Sequence, residues 1–178
     1  MTRSPISGRC LCGAVRYTAA GPVLATAICH CDDCQRASGS AFAVVIGVRA
    51  ATLQLEGELA TFETVGTDSG ERRQRRFCPR CGSQVLSVMA EAPDLALLKA
   101  GTLDDRSWLS PTVEVWRQSA QPWTQRQRRR PGLRRGAPTI VLRAVEAVLR
   151  RARKTTAGDG TTTSPPNDAP AARAGDSL

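Results

Sequence analysis

The chain has 178 residues, the size of about one ordinary domain, with 25 Lys and Arg against 16 Asp and Glu, a net charge of +9. Apolar residues make up 41% and aromatics only 4%, enough for one lean core. No run approaches the roughly 18 consecutive apolar residues of a membrane helix, and residues 1–9 lack the apolar core of a signal peptide, so the sequence reads as a cytoplasmic protein without a transmembrane segment.

The charge is uneven. Residues 1–125 hold 13 Lys and Arg against 12 Asp and Glu, whereas residues 126–178 hold 12 against 4. All seven cysteines, all three tryptophans and the single histidine lie in the first part. We therefore divide the chain into a domain over 1–125 and a basic extension over 126–178. The second part cannot bury enough apolar surface to offset the entropy of ordering.

In chain order, strands are expected at 14–18, 23–28, 41–48, 52–55, 60–64, 72–77, 84–88, 95–100 and 112–116. These runs are short, rich in Val, Leu, Thr and Phe, and divided by polar, Gly- or Pro-bearing turns. Gly66 to Gly70 is the clearest turn. No helix of ten or more residues is expected before Gln125, so the first part reads as all-β. In the extension, Val141, Leu142, Val145, Val148 and Leu149 follow one face of a helix over 139–154, bounded by Pro138 and Gly158. Residues 155–178 read as disordered.

The cysteines form three clusters: Cys10 and Cys12, then Cys29, Cys31 and Cys34, then Cys78 and Cys81. In a reducing compartment such spacings point to metal ligands rather than disulfides. Pro79 pre-sets a turn in the last pair, and Gly82 and Gly13 follow the second cysteine of their pairs, where a bend lets amides point at sulfur. Structural zinc is closed by four ligands, while catalytic zinc keeps three and a vacancy. Seven cysteines divide as four and three. The two Gly-followed pairs would close one site, and the central cluster would supply three thiolates to a second. Iron–sulfur ligation also uses four cysteines, but short Gly-bearing knuckles favour zinc. His30, between Cys29 and Cys31, would point away from the metal on an extended strand and reads as a packing or supporting residue.

These same segments carry a resemblance. Gly8 to Tyr17, Cys29 to Gly39, Phe77 to Ser83, and Pro111 to Trp116 followed by Pro122 and Trp123 resemble, in order, the motifs of the glutathione-dependent formaldehyde-activating enzymes (the GFA/CENP-V group). The resemblance covers roughly residues 5–125. It implies a mostly β, Mss4-like fold and two zincs per chain. Cys10, Cys12, Cys78 and Cys81 would hold a structural ion, and Cys29, Cys31 and Cys34 a catalytic-type one. It also implies a carbon–sulfur lyase resembling S-(hydroxymethyl)glutathione synthase. Its partners would be a small thiol such as glutathione and formaldehyde or another aldehyde.

Other features are weighed beside it. Arg72, Arg73, Arg75 and Arg76 are either a solvated strand face or a site for an anionic ligand. Asp32 and Asp33 are either a polar turn or acid/base groups beside the metal. Ser38 and Gly39 are candidates for the pocket wall. Trp108, Trp116 and Trp123 are expected to pack on the sheet. The cations of residues 126–154 make nucleic-acid phosphates a candidate partner, although no aromatic accompanies them to stack on bases. The alternative function is thus a non-catalytic, zinc-stabilised binding module that uses its basic tail on nucleic acid or a protein partner.

Overall fold

The computed structural model describes residues 5–124 and 132–136. The expected helix at 139–154 and the segment 155–178 lie outside the described residues. Ten strands run in order: β1 (Ile6–Arg9), β2 (Arg16–Ala19), β3 (Ala25–Cys29), β4 (Ala43–Arg49), β5 (Leu53–Glu56), β6 (Ala60–Val65), β7 (Arg72–Phe77), β8 (Gln84–Met89), β9 (Ala92–Lys99) and β10 (Val113–Val115). Among the described residues one α-helix, α1 (Asp32–Ser38), interrupts them after β3. The fold is mostly β, as the sequence indicates, with two elements that the pattern does not reveal: β1 and α1.

The strands form two sheets. A three-stranded sheet has the order β1-β2-β5, and a seven-stranded one the order β10-β3-β4-β9-β8-β7-β6. All pairs are antiparallel except β10 on β3.

Side chains alternate across a strand, so residues paired in register share a face. On one face of the large sheet, Ile46 pairs with Leu98 and Leu98 with Leu86. These three are fully buried and join Ile6, Val15, Tyr17 and Ala19 of the small sheet in the main core. Register also defines the opposite face. Cys29 pairs with Ala43, Val45 with Lys99, Leu97 with Ser87, Ser87 with Arg75, and Arg75 with Phe62. Buried Cys29, Ser87 and Arg75 run along it, a polar stripe on the side away from the core.

β1 escapes a hydrophobic pattern because its sequence, Ile-Ser-Gly-Arg, has one apolar residue. Gly8 is nevertheless required there. A Cβ on it would lie 2.2 Å from Tyr17 Oη and 2.4 Å from the Thr102 carbonyl. Tyr17 Oη in turn hydrogen-bonds Thr102 Oγ1 at 2.9 Å.

Beyond the expected domain boundary at Gln125, residues 132–136 return to the outer edge of β10. Leu133 N donates to Glu114 O at 2.8 Å, Arg117 N to Leu133 O at 3.0 Å and Trp116 N to Arg135 O at 3.2 Å. β10 ends at Val115, and Trp116 after it has a left-handed backbone with φ 60°. Its ring packs under Gly136, where an added Cβ would come within 2.9 Å of it. Trp108 packs against the main core. Trp123, by contrast, is 71% exposed and does not pack on the sheet.

Gly8→Ala should destabilise the protein by about 1–3 kcal/mol, the range for overpacking a filled site. Urea unfolding of the purified variant checks this. An unchanged midpoint would contradict the close approach of β1 to Tyr17.

Candidate metal centres and active site

The first thiol cluster is built from two matching turns. After β1, Cys10 N donates to Val15 O at 3.0 Å and Gly13 N to Cys10 O at 3.1 Å. After β7, Cys78 N donates to Ser83 O at 2.9 Å and Gly82 N to Cys78 O at 2.9 Å. Gly13 and Gly82 both take positive φ, 75° and 71°, a conformation open to glycine at little cost. The sequence therefore folds each pair into a tight knuckle that presents two sulfurs. The Ser83 hydroxyl accepts from Leu11 N at 3.1 Å and so joins one turn to the other.

All four Sγ atoms, of Cys10, Cys12, Cys78 and Cys81, lie within 4.8 Å of one another. Cys10 and Cys12 are 3.6 Å apart, and Cys12 and Cys78 are 3.8 Å apart. Four thiolates ~2.3 Å from a tetrahedral ion would stand about 3.8 Å apart. Val15 N donates to Cys10 Sγ at 3.2 Å. The Ser83 hydroxyl leads the interactions that bring the Cys81 thiol down to about 5. The set fits one tetrahedral metal ion.

The second cluster forms where a strand ends and a helix begins. Cys29 is the last residue of β3. Cys31 is the N-cap of α1, with extended backbone, and its Sγ accepts from Cys34 N at 3.4 Å. The spacing from Cys31 to Cys34 is thus the spacing of a helix cap to the third residue of its first turn. Cys29 Sγ and Cys31 Sγ are 3.4 Å apart, and all three sulfurs lie within 4.8 Å of one another. Among the described residues no fourth Cys, His, Asp or Glu joins this group. The sulfurs share protons unequally: the Cys31 thiol pushes Cys29 up, while hydrogen bonds from Cys29 and Cys31 bring Cys34 down to about 2. Lys99 and Arg75, from the face beneath, add their positive charges to that effect on Cys34. Three clustered sulfurs, of which Cys34 is held as the thiolate near two cations, could hold a metal ion and supply three of its ligands.

α1 is held from both sides. The Asp33 carboxylate accepts from Thr67 N at 3.1 Å and the Thr67 hydroxyl at 2.8 Å, and pairs with Arg75 at 3.3 Å. Asp32 N donates to Asp68 Oδ2 at 3.0 Å. On the other side, Gln35 Nε2 donates to His30 O at 2.6 Å and Ser119 O at 2.8 Å. Asp33 is therefore occupied in tying the 66–71 turn to the helix. Ser38 bonds back to Cys34 O at 2.7 Å, and Gly39 closes the helix with φ 60°.

His30 is buried and belongs to neither sulfur cluster. Its Nε2 lies 3.3 Å from Glu114 Oε2, which also accepts from Arg117 Nη1 at 3.0 Å. Burial pushes the His30 pKa down, against the pull of Glu114. Arg117 is therefore the cation that balances Glu114, which is only 2% exposed. This network locks β10 and the 117–119 turn against the peptide that joins Cys29 to Cys31.

The arginine run is neither purely solvated nor a single anion site. Arg73 pairs with Glu91 at 2.6 Å, Arg76 donates to Gln74 Oε1 at 3.2 Å, and Arg75 is 8% exposed beside Asp33. Lys99, Ser87 and Glu114 are absent from the sequence reading. A lone Lys closing the run Leu95-Ala-Leu-Leu, and a lone Glu between Val113 and Val115, are the signals that could have found two of them. Ser87 is 5% exposed, and its Oγ has no hydrogen-bond partner among the described residues.

A family model for the glutathione-dependent formaldehyde-activating enzymes matches residues 5–119. No curated protein matches the chain. The crystal structure of a Rhodobacter sphaeroides protein aligns with a TM-score of 0.45 at 22% identity, covering 59% of this chain and 91% of that one. The family match spans both thiol clusters and the β10 segment that braces them, and on it the chain belongs to the family of glutathione-dependent formaldehyde-activating enzymes.

Proposed function

We propose that this chain is a zinc-dependent carbon–sulfur lyase that joins a small thiol, such as glutathione, to formaldehyde or another aldehyde. The observation that carries the reading is the unequal pair of clusters: four sulfurs that can close around one ion, and three that leave a place. Cys10, Cys12, Cys78 and Cys81 would hold a structural zinc. Cys29, Cys31 and Cys34 would hold a second zinc, which when bound would accept the substrate thiol and keep it as the thiolate nucleophile. Seven free cysteines suit a reducing, cytoplasmic setting.

The chain's own residues account for the rest of the step. The thiolate sulfur attacks the carbonyl carbon, a carbon–sulfur bond forms, and the π electrons move to oxygen. That oxygen develops negative charge on the face shared by Lys99, Ser87 and Arg75. Donors fixed in a buried site stabilise such charge without reorganising. Burial lowers the Lys99 pKa, with the nearby thiols pulling the other way. A half-buried ammonium there can give its proton to the new alkoxide and regain one from solvent. The unpartnered Ser87 hydroxyl is a second donor on the same face. Buried Glu114 and His30 hold the peptide between Cys29 and Cys31 and take no part in proton transfer. A binding module without turnover would have little use for an incomplete thiol set beside two cations.

Three outcomes follow from these roles. Purified wild-type protein should carry two zincs per chain and Cys31→Ser one, with circular dichroism unchanged, whereas Cys78→Ser should lose the fold because structural zinc contributes on the order of 10 kcal/mol. Equal loss of folding from both variants would contradict the division of labour. Cobalt-substituted protein should change its visible spectrum when glutathione or another small thiol is added, and a spectrum already typical of two four-sulfur sites without thiol would sink the open-site reading. Lys99→Met should lower the turnover of thiol with aldehyde by about 100-fold, the scale for losing one stabilising donor. Thiol binding measured by calorimetry should stay intact, and unchanged turnover would remove Lys99 from the mechanism.

A further inference from the structure

The cavity beside α1 measures about 440 Å³, within the range of small-molecule sites. The metal-binding thiols do not account for it. One wall is α1, through Asp33, Arg36 and Ala37; the other is the large sheet, through Phe62, Arg75 and Phe77. Asp33 precedes Cys34, and Ala37 follows it by one helical turn, so the cavity runs alongside the open cluster.

Its chemistry is specific. Phe62 is 60% exposed on the edge strand β6, and its ring forms part of the cavity wall. Register sets it directly across from Arg75, with Ala60 opposite Phe77 two pairs along, on the same face. Asp33 and Arg75 neutralise each other at 3.3 Å. Arg36 is exposed and makes no ion pair or side-chain hydrogen bond among the described residues. The cavity therefore offers aromatic walls, one balanced ion pair and one unbalanced cation. Glutathione carries two carboxylates, an ammonium and two amides, and has no apolar body to set against the two rings.

We infer that the thiol this chain takes has an apolar, ring-sized body and a single carboxylate, with the body lying between Phe62, Phe77 and Ala37 and the carboxylate on Arg36. The inference rests on the reading of Cys29, Cys31 and Cys34 as an open thiol-binding site, and it names the class of thiol.

The test is calorimetry on the full-length, zinc-loaded protein with three probes: 4-(mercaptomethyl)benzoate, glutathione and 4-methylbenzyl mercaptan. The aryl thiol should bind about tenfold or more tightly than glutathione, and Phe62→Ala, an exposed change that spares the core, should weaken it about tenfold while leaving glutathione unaffected. Arg36→Gln should weaken the aryl thiol but not 4-methylbenzyl mercaptan, which lacks the carboxylate. Glutathione binding as tightly as the aryl thiol would overturn the inference. So would an aryl thiol indifferent to both substitutions. Cys31→Ser separates the two levels. If the aryl thiol binds this variant undiminished and still depends on Phe62, the cavity stands and the open-site reading fails. If glutathione binding needs Cys31 while the aryl thiol binds no more tightly than glutathione and is indifferent to Phe62→Ala, the open site stands and the cavity's assignment fails.

Discussion

A three-stranded sheet with strands of four residues buries one face only and is too small to hold itself together. Here its buried residues meet the large sheet through Tyr17, Ile6 and Ala19, and the four-sulfur cluster joins the two sheets at one end. Cys10 and Cys12 follow β1, whereas Cys78 and Cys81 follow β7, 66 residues later between Cys12 and Cys78. A metal ion on these sulfurs would remove a long loop's worth of freedom from the unfolded chain. That closure would add to the buried contacts that set the large sheet against β1 and β2.

The alternation of the large sheet then does the rest. Residues facing the small sheet are apolar and fully buried, among them Ile46, Leu86 and Leu98. Residues one position along face the other way and include Cys29, Lys99, Ser87 and Arg75. Chemistry is thus kept off the core by the two-residue period of a strand. α1 roofs this second face, and its own cap supplies two of the three sulfurs. The roof is fixed by Asp33 and Asp68 on one flank and by Gln35 on the other, so the cluster's geometry is set before any ligand arrives. The Glu114, His30 and Arg117 network braces the same peptide from β10, and residues 132–136 seal the outer edge of that strand.

Much of this was legible in the sequence, for identifiable reasons. Val, Leu, Thr and Phe runs between turn residues mark most strands from β2 to β10, because half-buried strands require such residues; β7, Arg-Arg-Gln-Arg-Arg-Phe, is marked by its flanking turns instead. Cysteine spacing and the glycines after Cys12 and Cys81 indicate which sulfurs come together. Three things were hidden. β1 has its one buried apolar residue and a glycine dictated by Tyr17, a contact between strands rather than a pattern within one. α1 spans seven residues without a buried stripe, so no periodicity announces it; its acidic first turn and Gly39 stop are the traces. Cys29 to Cys31 were read as extended, and the chain is extended at Cys31, so His30 stays outside the sulfur cluster as expected. Lys99, Ser87 and Arg75 become a site only when register lays three distant strands side by side.

The central claim is that one thiol set is closed and the other open. X-ray absorption at the zinc edge reads that claim directly, because it counts sulfurs around the average ion. The account predicts about 3.5 sulfurs per zinc in the purified protein, rising to about 4 when a small thiol is added. A count of about 4 before any thiol, or one that does not move when thiol is added, would contradict it.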